Sequence, residues 1–195
     1  TVRTLPSVTD LVEGKVTTSD IRDLEVEDIL ERDTILPNQQ LLAKNINSKV
    51  VLVTGAGGSI GSELCRQIIK LNPQKILLME LSEFALYQIH AELEELKFKT
   101  KTNDQIKIIP LIASAQDELR IEEIIKTFKP NTIYHAAAYK HVSIVEENIF
   151  EGIKNNVFGT LNTAKIAIAN NVSDYVLISS DKAVRPTNIM GATKR

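Results

Sequence analysis

Short apolar runs alternate with longer segments of helical periodicity from about residue 49 to the end of the chain. Continuous apolar runs that follow turn residues are typical of strands buried on both faces of a parallel sheet. We predict five such strands, at residues 50–53, 76–79, 106–111, 132–135 and 175–178. Strands that alternate with helices favour right-handed βαβ units. The predicted fold class is therefore α/β, with a doubly wound parallel sheet of the Rossmann type.

Four helices are predicted between these strands, because apolar residues recur there at every third or fourth position. Ser82 is the predicted N-cap of the second helix, and Pro130 is expected to close the third. We expect the fourth helix to be long and to bury one apolar face, formed by Ile153, Val157, Leu161, Ala164 and Ile168.

The first 48 residues differ in composition, with many acidic side chains and few apolar ones. A helical turn is predicted at 28–32, and Leu36 and Pro37 would end it. Too few apolar residues are present for an independent core, so 1–48 is predicted to be a mostly irregular or helical arm beside a domain at 49–195. The arm would pack on that domain or on a neighbouring subunit; the alternative is a flexible linker from an upstream domain.

Composition narrows the possible functions. The chain has 195 residues with 23 Lys and Arg against 25 Asp and Glu, so no basic excess supports binding to nucleic acid or to an anionic membrane. The single cysteine, Cys65, excludes a disulfide framework, fits a reducing compartment and is expected in the core. No apolar run reaches the roughly 18–20 residues that would cross a bilayer. Since the chain starts at Thr1 and stops within a predicted helix, we expect a fragment of a longer protein.

A glycine-rich loop follows the first predicted strand and opens the first helix, with the sequence TGAGGSIG at 54–61. In this position glycines permit a tight turn and let backbone N–H groups reach a dinucleotide pyrophosphate. A P-loop is excluded, because Ser62 and Glu63 follow the last glycine where a P-loop has Lys and Ser or Thr. The predicted cofactor-binding residues of the loop are Gly55, Gly57, Gly58, Ser59, Ile60 and Gly61.

Glu80 ends the second predicted strand, about 20 residues after the last glycine of the loop, where dinucleotide-binding folds place a ribose-binding carboxylate. A carboxylate there binds the ribose hydroxyls and repels the 2′-phosphate of NADP. The nearest cations in the sequence, Lys75 and Lys97, are too distant to offset its charge. We therefore predict NAD as the cofactor.

Several motifs resemble those of one protein superfamily. The loop Gly55-x-x-Gly58-x-x-Gly61, the small-residue motif at 135–142 and the Asn motif at 155–160 are similar to those of the extended short-chain dehydrogenases/reductases. The stretch SSDKAVRPTNIMGATKR at 179–195 resembles the UDP-N-acetylglucosamine 4,6-dehydratases, in their large membrane-anchored branch of bacterial polysaccharide biosynthesis. The resemblance covers essentially the whole chain. It implies that the enzyme continues beyond Arg195 with a substrate-gripping region, so that the isolated fragment would be inactive.

The resemblance implies a reaction, in which bound NAD serves the conversion of UDP-N-acetylglucosamine to a UDP-4-keto-6-deoxy sugar for polysaccharide or glycan biosynthesis. It implies that Asp181 protonates the leaving C6 hydroxyl, that Lys182 removes the C5 proton and that Ser180 hydrogen-bonds the C4 oxygen. Further residues expected at the site are Ser114, Ala136, Ala137, Ala138 and Lys194 for the cofactor, Asn156 for the supporting hydrogen bonds, and Tyr139, Lys140 and His141 for the substrate.

Met190 departs from the wider superfamily, in which a Tyr at this position takes the C4 proton. A thioether cannot accept that proton. Met at this position matches the large dehydratase branch and is expected to face the C4 hydroxyl. The C4 base stays open between Asp181 and Lys194 acting through water.

The resemblance also implies a UDP-sugar as partner, a homo-oligomeric parent and a cytoplasmic location, with the parent anchored at the inner membrane. This segment itself is expected to contact neither membrane nor nucleic acid. His135 and His141 lack partners at metal-ligand spacing, so no metal is predicted.

Two alternative functions compete with the dehydratase. A nucleotide-sugar 4-epimerase would use the same cofactor loop, but it needs Tyr at position 190 and has no use for adjacent Asp181 and Lys182. A non-catalytic NAD-binding sensor or scaffold would need the glycine loop, but it would have no reason to retain the predicted catalytic residues.

Overall fold

The computed structural model describes residues 3–4, 22–23, 38–99 and 105–195. The chain divides into two compact units, Thr1–Asn38 and Gln39–Arg195. In the first unit, strands β1 (Arg3–Thr4) and β2 (Arg22–Asp23) pair antiparallel. No sequence pattern predicted such short strands, and the helical turn predicted at 28–32 lies outside the described residues.

The second unit alternates helices and strands. In chain order its elements are α1 (Gln39–Ile46), β3 (Val50–Thr54), α2 (Ser59–Ile69), β4 (Lys75–Glu80), α3 (Glu83–Lys99), β5 (Lys107–Ile112), α4 (Glu118–Phe128), β6 (Thr132–His135), α5 (Val142–Glu147), α6 (Ile149–Ile153), a π-helical turn (Lys154–Phe158), α7 (Gly159–Ala169), β7 (Asp174–Leu177), a 3₁₀ turn (Asp181–Ala183) and α8 (Ile189–Ala192). Each of the five predicted strands is present, and no end differs from the prediction by more than one residue.

The five strands of this unit form one parallel sheet in the order β5-β4-β3-β6-β7. This confirms the prediction of a doubly wound parallel sheet. The strand order reverses between β3 and β6, which are hydrogen-bonded neighbours although two strands separate them in sequence. A crevice opens at the carboxyl ends of the strands at such a switch point, and ligands bind there in open α/β sheets.

Successive strand residues point to opposite faces of the sheet and build two cores. Val51 and Val53 of β3 pack on one face with α1, α2 and α3. Leu52 of β3 packs on the other face with α4 and α7. Because helices cover both faces, strand β3 is buried along its whole length, which explains its continuous apolar sequence.

Helix α1 belongs to the second unit, although the sequence placed residues 39–48 in the N-terminal arm. Ile46 is 2% exposed and joins the core beneath the sheet. The Thr132 hydroxyl of β6 donates a hydrogen bond of 2.7 Å to the Asn45 carbonyl. Ile46 and this hydrogen bond therefore tie α1 to the core of the second unit, whereas the domain predicted from the sequence begins at residue 49.

The predicted fourth helix is interrupted, and its predicted apolar face was wrong. The π-helical turn separates α6 from α7 and shifts the helical register. Val157, Leu161 and Ile168 are 39%, 42% and 77% exposed, whereas Asn156 and Thr163 are buried. Periodicity alone could not reveal this shift, since it turns polar residues towards the interior.

Over the described parts of the chain, none of the helices combines the length and the apolar character needed to cross a membrane.

Candidate active site

The glycine loop joins β3 to α2 and lies at the carboxyl edge of the sheet. Gly55 has a φ of +66°, and a Cβ there would lie 2.8 Å from the backbone of Ala137. Gly58 is the N-cap of α2, and among the described residues no side chain caps this helix. The loop therefore packs closely on the segment after β6 and leaves the helix N-terminus available to an anion.

Glu80 turns back towards this loop from the end of β4. Its Oε2 accepts a hydrogen bond of 3.0 Å from the Gly57 N–H. Its Oε1 accepts bonds of 2.9 and 3.1 Å from the N–H groups of Leu81 and Ser82. Three backbone donors hold the carboxylate beside the glycine loop, the place predicted for a ribose ligand.

A first cavity of about 320 Å³ lies between the glycine loop and the ends of β4 and β5. The predicted residues that line it are Gly55, Gly57, Gly58, Glu80, Ser114, Ala136, Ala137, Ala138 and Tyr139. Its lining also includes Met79, Leu81, Ala85, Ala115 and Asn155, to which the sequence assigned no role. Small and apolar side chains dominate this lining, which suits a flat aromatic base.

A second cavity of about 570 Å³ lies across β6 from the first. The predicted residues that line it are Ser59, Ile60, Gly61, Lys140, His141, Ser180, Lys182, Met190 and Lys194. Gly58, Ala136, Ala138 and Tyr139 line both cavities. The two cavities therefore share a wall made of the glycine loop and the segment after β6.

Lys194 and Met190 belong to the α8 region of the second cavity. The Lys194 ammonium donates a bond of 3.2 Å to the Ile178 carbonyl at the end of β7, and burial lowers the pKa of this lysine. Met190 is 3% exposed and still lines the cavity. The structure therefore brings these two predicted residues to one wall.

The 3₁₀ turn Asp181–Ala183 brings only part of the predicted catalytic set to the cavity. Lys182 lines it, but Asp181 is not among the lining residues, and its side chain is 84% exposed. Lys182 Nζ and Asp181 Oδ1 are 3.5 Å apart. The two charged groups therefore meet at the exposed side of the turn, and only Lys182 also contributes to the lining of the cavity.

Asn156 is buried in the π-helical turn and lines neither cavity. Its Oδ1 accepts a bond of 2.8 Å from the Tyr139 N–H, and its Nδ2 donates to the Tyr139 carbonyl at 3.0 Å and to the Thr193 hydroxyl at 2.9 Å. Asn156 thus joins the segment after β6 to the end of α8. The supporting role predicted for it in catalysis stays a prediction.

Lys140 bridges the two sides of the second cavity. Its ammonium donates a bond of 2.9 Å to the Ser59 hydroxyl in the first turn of α2. A cation is therefore held beside the uncapped helix N-terminus, where both would attract a diphosphate.

His135, the last residue of β6, makes contacts that the sequence did not predict. Its Nδ1 lies 2.8 Å from the Thr54 hydroxyl and its Nε2 lies 3.1 Å from the Thr160 hydroxyl, while its ring stacks on Tyr175. Burial, and then the charge of Lys194, lowers the pKa of His135 to about 4. The neutral imidazole connects β3, β6 and α7 beneath the crevice.

Within residues 38–99 and 105–195, His, Cys, Asp and Glu side chains form no group of three that could hold a metal ion. The predicted absence of a metal stays a prediction.

Comparison with known proteins identifies a family and several relatives of the chain. A family model described as "Polysaccharide biosynthesis protein" matches residues 51–195. The capsular polysaccharide biosynthesis protein CapD of Staphylococcus aureus is 47% identical over 191 residues, which are 98% of this chain and 31% of CapD. The inverting UDP-N-acetylglucosamine 4,6-dehydratase of Campylobacter jejuni is 29% identical over 76% of this chain and 41% of that enzyme. The UDP-glucose 4-epimerase of Rickettsia rickettsii is 30% identical over 75% of this chain and 40% of the epimerase.

Solved structures share the fold. The X-ray structure of Pen from Bacillus thuringiensis has a TM-score of 0.67 and 32% identity over 77% of this chain and 44% of Pen. The UDP-glucose 4-epimerase of Thermotoga maritima has a TM-score of 0.61 and 20% identity over 74% of this chain and 47% of the epimerase. The chain therefore spans less than half the length of each of these proteins.

Proposed function

Because the chain belongs to the polysaccharide biosynthesis protein family, within the extended short-chain dehydrogenases/reductases, we propose that it is the NAD-binding part of a nucleotide-sugar 4,6-dehydratase. Its substrate would be UDP-N-acetylglucosamine and its product a UDP-4-keto-6-deoxy sugar. One observation carries the proposal: the cavity beside Glu80 and the cavity lined by Lys182 and Lys194 share a wall. A dinucleotide that followed this wall would bring its reactive end to the two lysines.

The residues of the crevice fit NAD. The uncapped N-terminus of α2 and the nearby Lys140 ammonium favour a diphosphate. A Cβ at Gly57 would lie 2.6 Å from the side chain of Ala85, so only glycine lets the loop take this close path. Glu80 lies where it would accept hydrogen bonds from the adenosine ribose.

The glycine loop and Glu80 would hold NAD, which when bound would supply the hydride chemistry of the proposed reaction, acceptance from C4 of the sugar and return to C6. Lys182 would remove the C5 proton, which the C4 ketone makes acidic, and Ser180 would hydrogen-bond the C4 oxygen. Asp181 would protonate the C6 hydroxyl as it leaves as water. Its carboxylate lies outside the lining of the cavity, so this role rests on the resemblance.

Lys194 is the better candidate for the base at C4. It lines the second cavity beside Met190, and burial lowers its pKa from the ordinary lysine value. Asp181, the other candidate, is exposed. Lys194 would therefore take the C4 hydroxyl proton through water as well as bind the nicotinamide ribose.

The decisive experiment is incubation of the full-length protein with UDP-N-acetylglucosamine and NAD, with mass spectrometry and NMR of the products. Loss of one water to give a 4-keto-6-deoxy sugar is expected. UDP-N-acetylgalactosamine, which has the mass of the substrate, would instead indicate an epimerase, and no turnover would favour an NAD-binding sensor or scaffold.

A pair of lysine variants tests the assignment at the site. Lys182→Met should abolish dehydration, while Lys165→Met, at an exposed position on α7, should leave it unchanged. Dehydration by the Lys182→Met protein at the wild-type rate would contradict the role of Lys182. A homo-oligomeric parent anchored at the cytoplasmic face of the membrane stays a prediction of the resemblance.

A further inference from the structure

Helix α8 is a single turn, yet it contains Met190 and leads directly to Lys194. Its N-terminus is held from two sides. The Asn188 side chain accepts a bond of 2.7 Å from the Gly191 N–H within the same turn. Across from it, Glu146 of α5 accepts a bond of 2.8 Å from the Ile189 N–H through its Oε1. Glu146 lines neither of the two cavities.

The position of α8 is coupled to the turn that contains Lys182. Gly191 is buried, and a Cβ on it would collide with the backbone carbonyl of Lys182. The helix therefore lies directly against this turn, and a displacement of α8 towards it would move the Lys182 backbone. Such close packing transmits small shifts, because no free space is left to absorb them.

The same helix sets the position of Lys194. The Ser179 hydroxyl donates a bond of 3.3 Å to the Lys194 carbonyl, and the Lys194 ammonium donates to the Ile178 carbonyl. Both partners lie just after β7, so these bonds keep their geometry only while α8 keeps its place over the strand end.

We propose that Glu146 is a positioning residue, whose carboxylate fixes the N-terminus of α8 and thereby aims Lys182 and Lys194 into the second cavity. A carboxylate oxygen is a strong acceptor for a backbone N–H in the first turn of a helix, which has no acceptor within the helix itself. Glu146 is exposed, so its hydrogen bond adds little to global stability and acts mainly on local geometry. The predicted effect on rate rests on the proposed dehydratase function.

Three variants of the full-length protein distinguish the positioning role of Glu146 from a general effect of losing one carboxylate. Glu146→Ala removes the acceptor, and Glu146→Gln keeps an acceptor oxygen without the charge. Glu147→Ala, at an exposed neighbour on the same helix, is the matched control for the loss of one carboxylate.

Hydrogen exchange of the peptide that covers 186–195 measures how well the backbone amides of α8 are protected. This measurement does not depend on whether the protein turns over a sugar. Faster exchange is expected in Glu146→Ala, with wild-type exchange in Glu147→Ala and near wild-type exchange in Glu146→Gln. Wild-type exchange in Glu146→Ala would overturn the proposal. Failure of the wild-type protein to convert UDP-N-acetylglucosamine would overturn the proposed function alone, since the exchange comparison would still decide the role of Glu146.

Kinetics separate positioning from a general loss of structure. In Glu146→Ala, kcat should fall roughly tenfold or more, because a small misplacement of a reacting group is costly. The Kd for NAD should stay within about threefold and Tm within about 2 °C, since the glycine loop and Glu80 are untouched. A parallel fall in NAD affinity and Tm, or a Glu146→Gln protein as slow as Glu146→Ala, would overturn the positioning role.

Discussion

We predict that the charge of Glu80 decides the choice between NAD and NADP. Three backbone N–H groups fix its carboxylate at the rim of the first cavity, so it cannot turn away from a 2′-phosphate without losing them. We expect the wild-type chain to bind NAD more tightly than NADP. In Glu80→Gln, the ratio of the Kd for NADP to the Kd for NAD should fall by about tenfold, which corresponds to about 1.4 kcal/mol in binding free energy. Glu83→Gln, at an exposed position in the first turn of α3, is the control. Equal binding of NAD and NADP by the wild type would contradict this role.

His135 makes stability depend on pH. Its pKa is lowered to about 4 in the folded chain, against about 6.5 when unfolded, so the unfolded state binds more protons between these values. The contribution of the neutral His135 to the free energy of unfolding is fully present above about pH 6.5. It is lost as the pH falls towards 4, and the loss is at most about 3 kcal/mol. Urea unfolding at several pH values should show this slope in the wild type and in His90→Gln. A flatter slope is expected in His135→Asn, and an unchanged slope there would refute the assignment.

The π-helical turn directs the amide side chain of Asn156 into the interior. In a regular amphipathic helix, apolar side chains occupy such buried positions. Asn156→Ala would leave the Tyr139 N–H and carbonyl without their partner, at a cost of about 1–3 kcal/mol in the free energy of unfolding. Chemical denaturation measures this, with Asn162→Ala on α7 as the control. Equal stability of the two variants would show that the network around Asn156 contributes nothing to folding.

The same element shows what the sequence could predict and what it could not. Strands were predictable because burial on both faces demands a continuous apolar run, as in β3. Burial of Asn155 and Asn156 was not, since it contradicts the hydrophobic pattern and depends on partners far away in sequence. Every buried side-chain N or O atom in the described residues has a hydrogen-bond partner.

The residues of the candidate site also divide into those that the sequence could predict and those that it could not. The glycine loop and Glu80 were predictable because each lies at the end of a strand, and parallel strands bring their carboxyl ends to one edge. The exposed side chain of Asp181 and the bond from Glu146 to α8 depend on the packing of separate elements. No local pattern carries that information.

The crevice is a property of the whole sheet, because the glycine loop, Glu80 and the segment after β6 come from three different strands. The unfolded chain has no such site, so binding of NAD must stabilise the folded chain. At a free concentration of about 100 times Kd, NAD should raise the free energy of unfolding by about 2.7 kcal/mol, and a further tenfold increase should add about 1.4 kcal/mol. Thermal denaturation at increasing NAD concentration measures this.

Gly55→Ala is the variant that connects this stabilisation to the loop. An alanine at a φ of +66° is strained, and its Cβ would press on the backbone of Ala137, so the loop would lose the path that exposes its N–H groups. We expect the folded variant to show little increase in Tm with NAD, while Asn162→Ala, on α7 outside both cavities, should respond like the wild type. If NAD failed to raise the Tm of the wild type, the crevice would not be a dinucleotide site. A ligand can stabilise only the conformation that it contacts. If NAD raised the Tm of Gly55→Ala as much as that of the wild type, binding would therefore not depend on the conformation of the glycine turn.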